Sequence, residues 1–203
     1  MHSQGIIHGN LRGVRLNFAL TLLHPHSLSH KANVLIDNDG CARLADFGLL
    51  TIISDEPTVT STAIGAAMAY WMSPELLVPE RFGLNESHPT HESDCYALGM
   101  MIYEVLGGQT PFDKHSSLTV VQKVLEGERP ERPLGARGAR FTDDIWRMLE
   151  LCWKHQPSDR ISAKAVLWAL EGNQPLLEPS YTVGEGVGTG VDDQLDAASS
   201  DPQ

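Results

Sequence analysis

Cysteine is scarce in this chain: three among 203 residues, Cys41, Cys95 and Cys152, odd in number and far apart. No Cys-x-x-Cys pair occurs, which excludes the common zinc and dithiol motifs and points to a reducing compartment. Long apolar stretches are missing too. No run of roughly 18 apolar residues exists, and Met1 is followed by His-Ser-Gln-Gly rather than by a basic segment and an apolar one. The expected protein is soluble and cytoplasmic, with no membrane partner. Positive charge is also in short supply, with 15 Lys+Arg against 26 Asp+Glu, a net charge of -11 and a pI near 5.1. That excludes a nonspecific grip on nucleic acid or anionic lipid.

The shortage of cations is sharpest at the end. From Glu171 to Gln203 there are seven acids and no Lys or Arg, among many Gly, Ser and Pro. Such a segment buries too little apolar surface to offset its ordering entropy, so residues 171–203 are expected to be a disordered acidic tail. Removing its -7 from -11 leaves -4 for residues 1–170, which are expected to form one domain.

Within those residues four stretches carry apolar side chains at helical spacing. They are Leu98, Met101, Ile102 and Val105, after Ser93-Asp94 as caps and before Gly107-Gly108; Val120, Val121, Val124 and Leu125; Ile145, Met148, Leu149 and Cys152, after Thr142; and Ala163, Val166, Leu167 and Leu170, between Ser162 and Gly172. Nearer the start, Asn33–Ile36 and Cys41–Ala45 flank Asp37-Asn38-Asp39-Gly40, and the Asp-Gly pair signals a hairpin. The fold class is therefore α+β, mainly helical with one short hairpin.

Asp46-Phe47-Gly48 follows the second strand, and alone would be a weak signal. Ser73-Pro74-Glu75 comes next, then Ser93-Asp94-x-Tyr96-x-Leu98-Gly99 at a helix, and Pro157-Ser158-Asp159-Arg160 before the last helix. Together these resemble the C-terminal lobe of a eukaryotic protein kinase, closest in pattern to the tyrosine-kinase-like group of Ser/Thr kinases, over residues 1 to about 170. The resemblance implies ATP and Mg²⁺ as cofactors and transfer of the γ-phosphate to protein Ser or Thr. It places Asp46 and Asn33 on Mg²⁺ and Leu35 beneath the adenine. It makes Glu75 and Arg160 a buried ion pair, and Asp94 the brace of the catalytic loop.

The same resemblance exposes departures. The family's loop reads His-Arg-Asp-Leu-Lys-x-x-Asn, or His-Gly-Asp-Leu-Lys-Gly-x-Asn, and its Asp accepts the substrate hydroxyl proton. Here the run is His8-Gly9-Asn10-Leu11-Arg12-Gly13, followed by eighteen residues, 14–31, before Ala32-Asn33. An amide oxygen is far too weak a base, and losing a positioned base costs about 10² to 10⁴ in rate. Arg12 puts a planar fork where a compact point charge belongs. Met68 stands where the family has a threonine that touches both. The catalytic positions are thus Asn10 and Arg12, with the expectation that they are inactive.

The insertion is expected to separate Asn10 from Asn33. It begins with Val14 and ends with Lys31; since every Val codon starts with GT and Lys can be AAG, it has the form of a retained short intron, the alternative being a genuine inserted loop. A metal cluster at His24, His26 and His30 lacks carboxylates and ligand spacing. The family's glycine-rich loop and Val-Ala-x-Lys strand lie before the catalytic loop, and only seven residues precede His8. The chain is therefore expected to begin inside a domain, without the upper lobe, and to bind ATP weakly or not at all. Three functions stay open: an active kinase domain, a pseudokinase-like binding or scaffold module with an unknown protein partner, and a truncated product without stable function.

Overall fold

The computed structural model describes residues 2–12, 33–36, 41–45, 66 and 68–172. The tail beyond Gly172, the insertion and Asp46-Phe47-Gly48 lie outside the described residues. A 3₁₀ turn at His2–Gln4 leads into the irregular stretch, bent at Gly9, that holds His8 to Arg12. Two strands follow, β1 (Val34–Ile36) and β2 (Ala42–Leu44), paired antiparallel with Val34 opposite Leu44 and Leu35 opposite Arg43. The Asp-Gly turn between them lies outside the described residues.

The rest is helical: α1 (Pro74–Leu77), α2 (His91–Gly107), α3 (Ser117–Leu125), α4 (Gly135–Gly138), α5 (Asp143–Cys152) and α6 (Ala163–Leu170), with 3₁₀ turns at Pro79–Phe82 and Pro157–Asp159. The four anticipated helices are α2, α3, α5 and α6. All four start at a hydroxyl cap whose oxygen accepts a backbone N–H three residues on: Thr90 from Ser93, Ser116 from Thr119, Thr142 from Ile145 and Ser162 from Ala165.

α2 departs from its expected start. Its N-cap is Thr90, and Thr90 with Ser93 forms a reciprocal box: Ser93 N–H donates to Thr90 Oγ1 at 3.1 Å and Thr90 N–H to Ser93 Oγ at 2.8 Å. Ser93 and Asp94 therefore sit inside the first turn, which frees the Asp94 carboxylate to turn inward. The buried face is shifted as well. Cys95, Tyr96, Ala97, Gly99 and Met100 are buried, whereas Val105 is 41% exposed. The reason is that α2 is the central helix, surrounded on most sides, so the one-sided spacing rule does not pick its core face.

The core joins Tyr96 and Met100 of α2, Val120 and Val124 of α3, Phe141, Met148, Leu149, Cys152 and Trp153 around α5, and Val166 of α6. Burying each such side chain is worth about 1.5 to 3 kcal/mol. Gly99 makes the closest approach in it: a Cβ there would lie 2.7 Å from both Cys152 Cβ and Trp153 Nε1, so only glycine lets α2 lie this near the end of α5.

Candidate active site

Asp94 organises the site. It is 2% exposed, and its oxygens accept the backbone N–H groups of His8 at 2.6 Å (Oδ2) and Gly9 at 2.8 Å (Oδ1). His2 Nε2 lies 3.1 Å from Oδ2. One buried carboxylate on α2 thus pins the loop that carries Asn10, as the resemblance implied. Gly9 is held at φ +72°, where a Cβ would come within 3.0 Å of Pro89. Glycine at this position relieves both the backbone and the contact.

His8 is fully buried and bridges loop and hairpin. Its Nε2–H donates to the Ala45 carbonyl at 3.0 Å while its Nδ1 accepts Asn10 N–H at 3.2 Å. A carbonyl only accepts and an amide N–H only donates, so the two partners select the Nε2–H tautomer. The loop motif marks the position of His8 but gave it no role, and His2 was not singled out at all, because a lone histidine carries no spacing that would mark it.

Asn33, also fully buried, comes back to the same loop. Its Nδ2 donates to the Asn10 carbonyl at 2.6 Å, its N–H to the Arg12 carbonyl at 3.4 Å, and its own carbonyl accepts Ala45 N–H at 2.8 Å. The expectation that residues 14–31 hold Asn10 and Asn33 apart is therefore corrected. The chain leaves after Arg12 and returns at Asn33 beside its point of departure, so the family's short spacing is re-created in space. Leu35 lies on β1 next to Asn33, and Asp46 falls outside the described residues.

The three altered positions converge. Asn10, Arg12 and Met68 line one small cavity of about 20 Å³, together with Asp94, Trp71 and Leu76. That is room for a single water. Met68 is buried at 4% exposure, and its thioether side chain closes one side of this cavity.

Below the loop, Arg160 and Glu75 form a two-pronged pair, Nη1 to Oε1 and Nη2 to Oε2, both 2.7 Å, with side chains 0% and 2% exposed. Arg160 also donates to the carbonyls of Lys154 (2.9 Å), Glu92 (3.0 Å) and His155 (3.3 Å). The guanidinium groups of Arg160 and Arg129 both lie over the Tyr96 ring, 5.1 Å and 5.3 Å from its centre. Burial pushes its phenol up to about 12, against the opposing pull of those cations. This stacking was not legible beforehand, because Arg129 is 33 residues from Tyr96 in sequence.

A family model described as protein tyrosine and serine/threonine kinase matches residues 19–170. The chain belongs to the protein kinase family. Among curated kinases, this one is 26% identical over 184 residues to a probable serine/threonine-protein kinase of Dictyostelium discoideum, covering 86% of this chain and 18% of that protein. It is 28% identical over 164 residues to the human cytoplasmic tyrosine-protein kinase BMX, covering 78% and 22%. With the serine/threonine-protein kinase PrkC of Bacillus subtilis it shares 34% identity over 116 residues, 55% of this chain and 17% of PrkC. The chain thus spans about a fifth of the length of each of these kinases. No helix among the described residues is long and apolar enough to cross a membrane.

Proposed function

We propose that this chain forms the helical lobe of a kinase domain that keeps the family's scaffold and has lost phosphoryl transfer, serving as a pseudokinase-like binding module. The observation that carries this reading is the absence of a base beside Asn10 among the described residues. The cavity around Asn10, Arg12 and Met68 is lined by a single carboxylate, Asp94, and both its oxygens are held by the N–H groups of His8 and Gly9. Among the described residues lining the cavity, no carboxylate other than this loop brace is present to take a hydroxyl proton. A loss of about 10² to 10⁴ in rate corresponds to about 3 to 5 kcal/mol of barrier.

A second reading, active transfer to protein Ser or Thr, rests on Asn33. Its Oδ1 is buried and has no hydrogen-bond partner among the described residues, which suits an oxygen ligand for Mg²⁺. Asn33 would hold the ion with the Asp46 carboxylate. Bound Mg²⁺ and ATP would supply the phosphoryl group and neutralise its charge. This chain's own residues then position the loop through Asp94 and keep Asn33 pointed by the Asn10 carbonyl.

Two measurements on the full chain decide between them. Thermal unfolding with Mg²⁺ and rising ATP is expected to show no saturable increase in Tm, since a ligand that binds only the native state must raise it. Incubation with γ-labelled ATP and peptide libraries is expected to give no incorporation above background, with Asn10→Asp alone no better, because Arg12 and Met68 remain. Saturable stabilisation with label on Ser or Thr overturns the first reading and supports the second. Label on Tyr overturns both.

A further inference from the structure

Positive charge is gathered in one part of this acidic protein. Residues 114–154 hold eight Lys+Arg against six Asp+Glu, net +2, so the remainder carries -13. Here a groove of about 600 Å³ opens between the loop before α3, α3 itself and the stretch leading into α4. Five cations line it, Lys114, Lys123, Arg129, Arg132 and Arg137, against three carboxylates. One of the three, Glu128, is taken by Lys123 at 2.5 Å, and Arg132 is held by Asp143 at 2.7 Å. Lys114 and Arg137 have no ion pair among the described residues. The rings of Tyr103 and Phe112 supply an apolar wall.

We propose that this groove is the docking site for the acidic C-terminal stretch of the same chain, centred on Asp192-Asp193-Gln194-Leu195-Asp196. Residues 173–203 contain six acids and no Lys or Arg. Their carboxylates complement Lys114 and Arg137, and Leu195, set between acids, matches a ring-lined floor with a cationic rim. The reach is sufficient. Residues 173–191 extend to about 60 Å, while a domain of this size is about 40 Å across. Docking of the tail covers the segment between α2 and α4 and makes that face sensitive to salt.

Carbodiimide coupling of carboxylates to lysine amines in the full chain, followed by peptide mapping, tests this. The lysines are Lys31, Lys114, Lys123, Lys154 and Lys164. Lys164 lies on α6, close to the root of the tail, and is the amine that an undocked tail meets most often. Docking predicts couplings from Asp192, Asp193 or Asp196 to Lys114 and Lys123 at about five times the yield at Lys164, falling to parity near 1 M salt, where the Debye length shrinks to about 3 Å. Arg137→Glu is expected to cut coupling at Lys114 several-fold with an unchanged circular dichroism spectrum. Coupling concentrated at Lys164, spread evenly over the lysines, or absent overturns the proposal. So does coupling between isotopically distinguished copies, which would make a second chain the occupant.

Discussion

Replacing Arg160 by Met tests how the scaffold is held together. The guanidinium makes two 2.7 Å bonds to Glu75 and donates to three main-chain carbonyls, those of Lys154, Glu92 and His155. Methionine occupies similar volume without any of these donors. Glu75 is then left as a buried charge without its partner, and breaking such a pair by removing one side costs about 3 to 5 kcal/mol. In a domain of this size that lowers Tm by roughly 6 to 20 °C. Adding Glu75→Met removes the stranded charge, so the double variant is expected to recover most of the loss. It should still lie about 1 to 2 kcal/mol below the parent, because the three carbonyls have lost a buried donor. Urea unfolding followed by far-ultraviolet circular dichroism gives all four corners of the cycle, provided the slopes agree. Glu75→Gln is a milder variant should Arg160→Met not fold. Costs that simply add, or single variants within about 1 kcal/mol of the parent, would refute the view that this pair ties α1 to the turn before α6.

Gly9→Ala is expected to destabilise by about 1 to 3 kcal/mol, since it forces a side chain into φ +72° and against Pro89, measured as a shift in urea midpoint. Ellman's reagent near pH 8 is expected to find one reactive thiol in the native protein, the exposed Cys41, and three after denaturation, because Cys95 and Cys152 are buried. Burial raises Cys95 from 9.0 to about 11 and Tyr96 from 10.0 to about 12, so the folded state holds these protons more tightly than the unfolded state. Burial raises the Cys152 thiol further still. The contribution of the three groups is complete below pH 9 and is lost as pH rises above it. Cys95→Ala should make the decline between pH 9 and 11 shallower in a pH series of urea midpoints, with the Cys152 part remaining. Deleting residues 14–31 is expected to leave the Arg12 and Asn33 contact intact and to stabilise by about 2 kcal/mol through a shorter closure, read as a higher Tm and a sharper transition. A lower Tm would show that the insert contributes to packing.

Much of the candidate site could be read from local strings. His8-Gly9-Asn10, Ser73-Pro74-Glu75 and Arg160 mark their positions because each motif is short and contiguous. What escaped are contacts between distant residues: His2 on Asp94, Arg129 and Arg160 over the Tyr96 ring, and the hydrogen bonds that join Asn33 to Asn10 and Arg12. The core face of α2 escaped too, because apolar periodicity locates a helix that has one wet side and says little about a helix buried on most of them.

The amino-acid string alone located the four longer helices and the hydroxyl caps Thr142 and Ser162, and put an asparagine at position 10, all of which depend on neighbours a few residues away. Only the tertiary structure decided that the eighteen-residue insertion leaves Asn10 and Asn33 in contact, and that Asp94 spends both oxygens on the loop. Those outcomes depend on which chain segments meet in space, and the hydrogen bonds that select them form between residues 23 and 86 positions apart.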